Sequence, residues 1–251
     1  MLVCVGCEWQ LKTADADSDD VQVSIERYDR IESLYLTTGD LSALQQMNTV
    51  YPMQTRMLIE NVLRIGKVDD AKINARLLHF FQDSTLQQML ADVRKQYENL
   101  DDLNEELSSA FERLKDEIPS LEIPQVYTQI GSFDQSIIVG GNTLGISLDK
   151  YLGSDYPFYL EHYNDMQRSM MKRDMIVPDC LVFYLVSLYP PSVQDTLTLQ
   201  QRDEHIGRIQ WVVNTVTKRK VFNNEHVSKV DKLMRHNTKM TIDRLLSTAG
   251  Q

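Results

Sequence analysis

The spacing of apolar residues changes from a helical period to a strand period near residue 120, and this change constrains the fold more than any other feature. Before Pro119, apolar side chains recur every three or four residues, which is the spacing of one face of an α-helix. After Pro124, three short segments rich in β-branched residues are separated by glycine-containing turns. We therefore predict one small antiparallel β-meander over about residues 121–149, with strands at 125–130, 135–139 and 143–148.

The rest of the chain is predicted to be helical. Helical spacing begins at Val21, continues to Pro119 and returns after Gly153. Residues 84–87 (Ser-Thr-Leu-Gln) fit a capping box, in which the Ser and Gln side chains bond free amides of the first helical turn. The segment Leu181–Val186 is apolar on all sides, which predicts a central helix. The expected fold class is α+β and mostly α-helical, with the meander between a helical N-terminal half and a helical C-terminal half.

Composition and patterning predict one domain behind a linker. Hydrophobic residues make up 42% of the chain and charged residues 25%, which is ordinary for a globular domain. We expect a single globular domain over residues 21–251. Residues 8–20 differ from this part because they have no apolar face and carry four aspartates, so they predict a solvated acidic linker: Asp15, Asp17, Asp19 and Asp20.

The chain is acidic, which limits its partners. It has 26 basic and 36 acidic residues, and its formal net charge is −10 at pH 7. Binding to nucleic acid requires a basic footprint, and so does docking to an anionic bilayer through charge. The longest apolar run, Cys180–Tyr189, is about half of the roughly 20 residues needed to span a bilayer. We expect no nucleic-acid partner and no membrane-spanning helix.

The sequence matches no familiar catalytic motif. A zinc protease of the helix–meander–helix type needs two His four residues apart with Glu between them, but no two of the five histidines have this spacing: His79, His162, His205, His226 and His236. Residues 145–147 supply only half of a GxSxG elbow because position 149 is Asp, and the glycines at 140 and 141 lack the Lys of a P-loop. Cys180 adjoins an apolar helix and is expected to be a buried thiol. We therefore predict no catalytic residue, no metal site and no cofactor.

Aromatic residues are dense after the predicted strands, in a chain that is only 8% aromatic. Tyrosine at helical spacing usually packs in a core, but it is also enriched at binding surfaces because it buries a large area at a low entropy cost. Both interpretations stay open from the sequence. As a candidate interaction surface we take Asp149, Lys150, Tyr151, Tyr156, Tyr159 and Tyr163.

Four segments between about Leu77 and Pro190 resemble the gliding-motility lipoprotein B (GldB) family. They are Phe80–Asp83, Ile123–Tyr127, Leu144–Gly153 and Met175–Pro178. The resemblance implies a bacterial cell-envelope lipoprotein associated with the machinery that moves or secretes surface adhesins. It also implies a distant likeness to zincin-like proteins, here in a degenerate form without the metal ligands.

The N-terminus fits the lipoprotein that this resemblance implies. Residues 1–6 are apolar and end in Gly6, directly before Cys7, as at the end of a lipoprotein signal peptide. The basic start of such a signal is missing and the apolar stretch is short, which a start codon assigned too late would explain. We expect residues 1–7 to be the remnant of a signal peptide, with Cys7 lipidated and the protein held at the membrane only through this anchor. The alternative is an intracellular protein with a slightly apolar start.

Two functional hypotheses follow. The first is a non-catalytic lipoprotein of the cell envelope, facing the periplasm or the cell surface, that acts by binding other envelope or surface-secretion proteins. The alternative is an envelope hydrolase of peptide or glycan with an unrecognised site, for which the candidate groups are Asp149, Glu161, His162 and His205. Convergence of three metal-capable side chains in one cleft would favour the hydrolase.

Overall fold

A computed structural model describes residues 21–131, 133, 135–191 and 198–247. The predicted signal remnant at 1–7, the lipidation site Cys7 and the acidic linker at 8–20 lie outside the described residues. The expectation of one domain over residues 21–251 stays a prediction.

Twelve α-helices and three short strands make up the described parts of the chain. Helices α1 to α6 precede the strands, as the spacing of apolar residues predicted: α1 Tyr28–Thr38, α2 Leu41–Thr49, α3 Pro52–Met57, α4 Ile73–Phe80, α5 Ser84–Gln96 and α6 Asp101–Glu117. A π-helical turn, Leu58–Val62, continues α3. The strands and later helices are β1 Gln125–Gln129, β2 Ile137–Gly140, β3 Thr143–Ser147, α7 Pro157–His162, α8 Asp165–Met170, α9 Ile176–Leu188, α10 Leu199–Thr217, α11 Glu225–His236 and α12 Ile242–Ser247. The α+β, mostly helical fold class is confirmed.

The order of the strands differs from a meander. The sheet has the order β1-β3-β2, with β1 parallel to β3 and β2 antiparallel to β3. The predicted antiparallel meander is therefore wrong in its connectivity, and the sheet is mixed. The chain directions are those of a meander, but β3 folds back between β1 and β2 instead of lying outside β2. The carboxyl ends of β1 and β3 consequently lie side by side.

A tight hairpin and a missing side chain place β3 in the centre. Gly140 pairs with Thr143 across the two-residue turn, where Gly141 has a φ of 58° that a side chain would disfavour. Gly145 pairs with Tyr127 on β1, and a Cβ at Gly145 would lie 2.6 Å from the Tyr127 ring. The strands therefore pack closely because residue 145 has no side chain.

The hydrophobic core joins the helices to the sheet. Helix α9 contacts β2, β3, α6 and α10, and its Leu181 and Leu185 are fully buried. The predicted central position of this segment holds for one face only. Phe183 on the other face is 42% exposed, and Leu188, the last residue of the helix, is 44% exposed. None of the helices in the described ranges is long and apolar enough to cross a membrane.

Candidate functional site

Helix α5 borders two hollows in the described surface. Asp83 caps its first turn by accepting hydrogen bonds from the amides of Thr85 (2.8 Å) and Leu86 (3.2 Å). The predicted capping box beginning at Ser84 is therefore wrong by one residue. The Gln87 side chain instead donates to the carbonyl oxygen of Phe81 at 2.6 Å. One face of α5 is buried, and the exposed faces border a groove on one side and a smaller hollow on the other.

The groove lies between α1 and α5 and has a volume of about 670 Å³. Leu90, Val93 and Ile130 lie beneath it and are at most 1% exposed. Its accessible apolar lining is formed by Ile31, Leu34 and Ala91. Its lining includes four cationic side chains, Arg27, Arg30, Arg94 and Lys95, and two acidic ones, Asp29 and Glu98. The rim is therefore basic, although the chain as a whole is acidic.

Two arginines of this rim hold α1 against the end of α5. The Arg27 guanidinium donates to the carbonyl oxygen of Tyr97 at 2.7 Å, and Arg30 donates to the carbonyl oxygen of Glu98. Carbonyl groups at a helix C-terminus lack partners within the helix and carry its negative dipole end, so cations stabilise them. Arg27 also makes a two-point ion pair with Asp29, at 2.8 Å for each bond. These two arginines are thus structural as well as basic.

Arg94 and Lys95 differ from the other two cations. Both lie in the last turn of α5 and are exposed. Neither side chain makes a hydrogen bond or ion pair with another residue in the described part of the chain. Their charges are therefore available to a ligand in the groove.

The smaller hollow connects the groove to one residue of the predicted interaction surface. It has a volume of about 490 Å³ and is lined by Asp92, Lys95, Gln96, Tyr156 and Pro157. The Tyr156 hydroxyl donates to an Asp92 carboxylate oxygen at 3.1 Å. Burial and the Asp92 carboxylate both raise the pKa of Tyr156. Lys95 borders both hollows.

Three of the predicted surface residues are buried. Asp149, Tyr151 and Tyr159 are at most 1% exposed, so they form no part of an exposed interaction surface. Tyrosine buries readily where its hydroxyl finds a partner, and here Tyr151 donates to Asp179 at 2.8 Å while Tyr159 donates to the carbonyl oxygen of Asp149. The remaining three are half-buried: Lys150, Tyr156 and Tyr163.

Asp149 organises the loop that follows β1. Its two carboxylate oxygens accept hydrogen bonds from the backbone amides of Gly131 and Phe133, each at 2.6 Å. Phe133 has a φ of 66°, which is unfavourable for a residue with a side chain, and its carbonyl oxygen accepts from Lys150 (2.9 Å) and Tyr163 (3.0 Å). Burial raises the pKa of Asp149, although the two amides oppose this effect. Three of the predicted surface residues, Asp149, Lys150 and Tyr163, therefore hold the backbone of one loop.

A second buried acid, Glu32 of α1, lies near the carboxyl ends of β1 and β3. Its Oε2 accepts from the Ile130 amide at 2.9 Å, while its Oε1 has no partner among the described residues. Burial raises the pKa of Glu32 well above its usual range, and the nearby charges of Asp149 and Asp29 add to the shift. No sequence pattern marks this group, because a glutamate within an amphipathic helix is ordinarily exposed.

The four groups named for a hydrolase do not come together. Glu161 and His162 are exposed on α7. Asp149 is buried in the turn directly after β3, and His205 is buried on α10. The described residues contain no cluster of three His, Cys, Asp or Glu side chains arranged to hold a metal ion. Burial lowers the pKa of His205 and raises that of the Cys180 thiol, which is fully buried.

Comparison with known proteins gives one match. A family model described as "Gliding motility protein GldB" matches residues 10–220. No curated protein and no solved structure matches the chain. The zincin-like arrangement suggested by the resemblance therefore stays a prediction.

Proposed function

Because the chain belongs to the gliding-motility protein GldB family, whose model covers most of it, we propose that it is a non-catalytic lipoprotein of the cell envelope that binds another envelope protein. The family is a lipoprotein family, and no helix of the described residues could cross a membrane. Attachment through a lipid on Cys7, and an orientation toward the periplasm or the cell surface, are parts of the proposal.

The groove between α1 and α5 is the observation that carries the proposed binding function. Protein interfaces combine an apolar, water-excluding centre with a polar rim, and arginine is enriched in them. The groove has accessible apolar side chains at Ile31, Leu34 and Ala91, and a rim with three arginines and one lysine. Its volume lies within the usual range for sites that enclose a ligand group. Among the described residues, no observation favours the hydrolase alternative.

Filling the groove tests the proposal without changing any charge. Ala91 lines the groove and is exposed on α5, so an Ala91→Trp side chain would occupy the space without disturbing the core. Ala75 is exposed on α4 and serves as the matched control. We expect the wild-type protein and Ala75→Trp, extracted from native membranes in mild detergent, to sediment as a complex, and Ala91→Trp to sediment as the free chain. Equal sedimentation of all three would contradict the proposed site.

The anchor is tested separately in the native gene. We expect a Cys7→Ser substitution to move the protein from the membrane fraction to the soluble fraction, because a lipid is the only attachment proposed. Continued membrane association of a stably folded Cys7→Ser protein would contradict lipidation at this residue.

A further inference from the structure

The groove carries a surplus of positive charge. Of its two acids, Asp29 is almost fully buried and already neutralised by the two-point bond from Arg27. Arg30, Arg94 and Lys95 then face a single exposed carboxylate, that of Glu98. A surplus of positive charge in a cleft draws in anionic ligands and repels cationic ones.

The ligand must also present apolar groups. The apolar lining that a ligand can reach is formed by Leu34, which is 42% exposed, by exposed Ala91 and by half-buried Ile31. A small inorganic anion would leave this apolar surface in contact with water. We propose that the α1–α5 groove binds an acidic segment of another protein. Its carboxylates would contact Arg94 and Lys95, and its apolar side chains would contact Ile31, Leu34 and Ala91. This proposal rests on the proposed function and specifies its partner.

A membrane surface fits the groove less well. A bilayer is broad, whereas the Arg27 side chain on the groove wall is only 23% exposed and Asp29 lies deeper still. The net charge of −10 also opposes approach to anionic lipid headgroups. The concave shape and the overall charge therefore favour a peptide segment.

The described part of the chain begins away from the groove. Val21 lies with Ile123 and Pro124 at the beginning of β1, whereas the groove begins beyond the end of β1. The backbone of Glu26 bonds to Val126 and Thr128, so the segment from Val21 runs alongside β1. The six residue steps from Val21 to Arg27 span about 20 Å. Asp19 and Asp20 are too close in sequence to Val21 to cover that distance. Asp15 lies six residues before Val21, so occupancy of the groove by the linker needs its own test.

Selection from a random peptide library tests the proposal directly. The purified full chain in detergent is panned against the library, in parallel with the double variant Arg94→Glu/Lys95→Glu. The control variant Arg202→Glu/Lys232→Glu makes the same change in charge on α10 and α11, where both residues are exposed. Because Arg94 and Lys95 also complement the dipole of α5, an Arg94→Gln/Lys95→Gln variant with unchanged thermal unfolding separates loss of binding from loss of folding.

We expect peptides enriched on the wild type to carry a net negative charge and apolar residues. Their affinity should fall about tenfold or more in the Arg94/Lys95 variants, should be unchanged in the control, and should weaken with salt. Enrichment of neutral or basic peptides, absence of enrichment, or equal binding by all variants would overturn the acidic-segment proposal.

Two further measurements identify other occupants. The first is binding to phosphatidylcholine vesicles that contain phosphatidylglycerol. If the wild type bound these vesicles, the Arg94→Glu/Lys95→Glu variant did not, and no peptide was enriched, the groove would be assigned to lipid. Replacing the four linker aspartates by Asn should leave peptide affinity unchanged, and a large gain would show that the linker itself occupies the groove. If the Arg94/Lys95 variants still sediment in the native complex, the envelope-binding function stands and only the acidic segment is excluded.

Discussion

At the scale of single residues, buried polar groups decide the local structure around the site. Asp149 holds two backbone amides, and Tyr151 and Tyr159 each bury a hydroxyl with a partner. The density of tyrosines could be predicted from the sequence, but their exposure could not. The spacing of tyrosines along a sequence is the same whether their hydroxyl groups bond to water or to a buried acceptor. Only the fold brings Asp179 next to Tyr151.

Removal of the Asp149 carboxylate should destabilise the protein. An Asp149→Ala change leaves the buried amides of Gly131 and Phe133 without acceptors, and each unsatisfied buried group costs about 1–3 kcal/mol. Removing the buried carboxyl also removes the cost of its desolvation, which offsets part of this loss. We therefore expect the free energy of unfolding, measured with urea, to fall by about 2–4 kcal/mol. The control Asp116→Ala, at an exposed position, should change it by less than about 0.5 kcal/mol. Similar unfolding curves for the two variants would refute the role of Asp149.

Asp179 should impose a pH dependence on stability. Burial raises its pKa to about 6, although the hydrogen bond from Tyr151 opposes the shift. The folded state therefore holds this proton more tightly than the unfolded state, and stability falls as pH rises from about 4 to about 6. The raised pKa corresponds to a penalty of about 2–3 kcal/mol at pH 7. An Asp179→Asn protein should lose this part of the pH dependence and be the more stable of the two at pH 7. If the stability of the Asp179→Asn protein differed between pH 4 and pH 7 by as much as that of the wild type, this assignment would be contradicted.

At the scale of elements, local pattern predicted the helices and strands but not the neighbours of each strand. Apolar periodicity identified the helical halves, and the glycines at 140 and 141 marked the hairpin correctly. A β2–β3 hairpin is compatible with two sheet orders, because either β2 or β3 can be the strand that pairs with β1. The order of the strands depends on a contact between distant residues, the packing of Tyr127 over Gly145. The alternation of apolar and polar residues along each strand does not encode that contact.

Helix α9 offers a matched test of burial within one element. Leu185 is fully buried, so Leu185→Glu should abolish folding by placing an unpaired charge in the core. Phe183 is two residues away and 42% exposed, so Phe183→Glu should yield a soluble protein with cooperative thermal unfolding. A folded Leu185→Glu protein would show that the core is assigned to the wrong face of α9.

At the scale of the whole molecule, the candidate site arises from segments that are far apart in the sequence. Arg27 and Arg30 begin α1, whereas Arg94 and Lys95 end α5, and no short motif joins them. The net charge correctly describes the chain as acidic but conceals a local basic rim. Of the six residues predicted as an interaction surface, Tyr156 alone lines one of these two hollows, the smaller one that Lys95 also borders.

Site-specific photo-crosslinking in living cells tests the central claim, that the α1–α5 groove contacts another envelope protein. A photoreactive amino acid replaces Leu34, which lines the groove and is 42% exposed, or Leu233 on α11, which is 40% exposed and serves as the matched control. We predict a discrete crosslinked product with a second envelope protein from position 34 and none from position 233. Equal products from both positions, or none from position 34 in a stably expressed protein, would contradict the account.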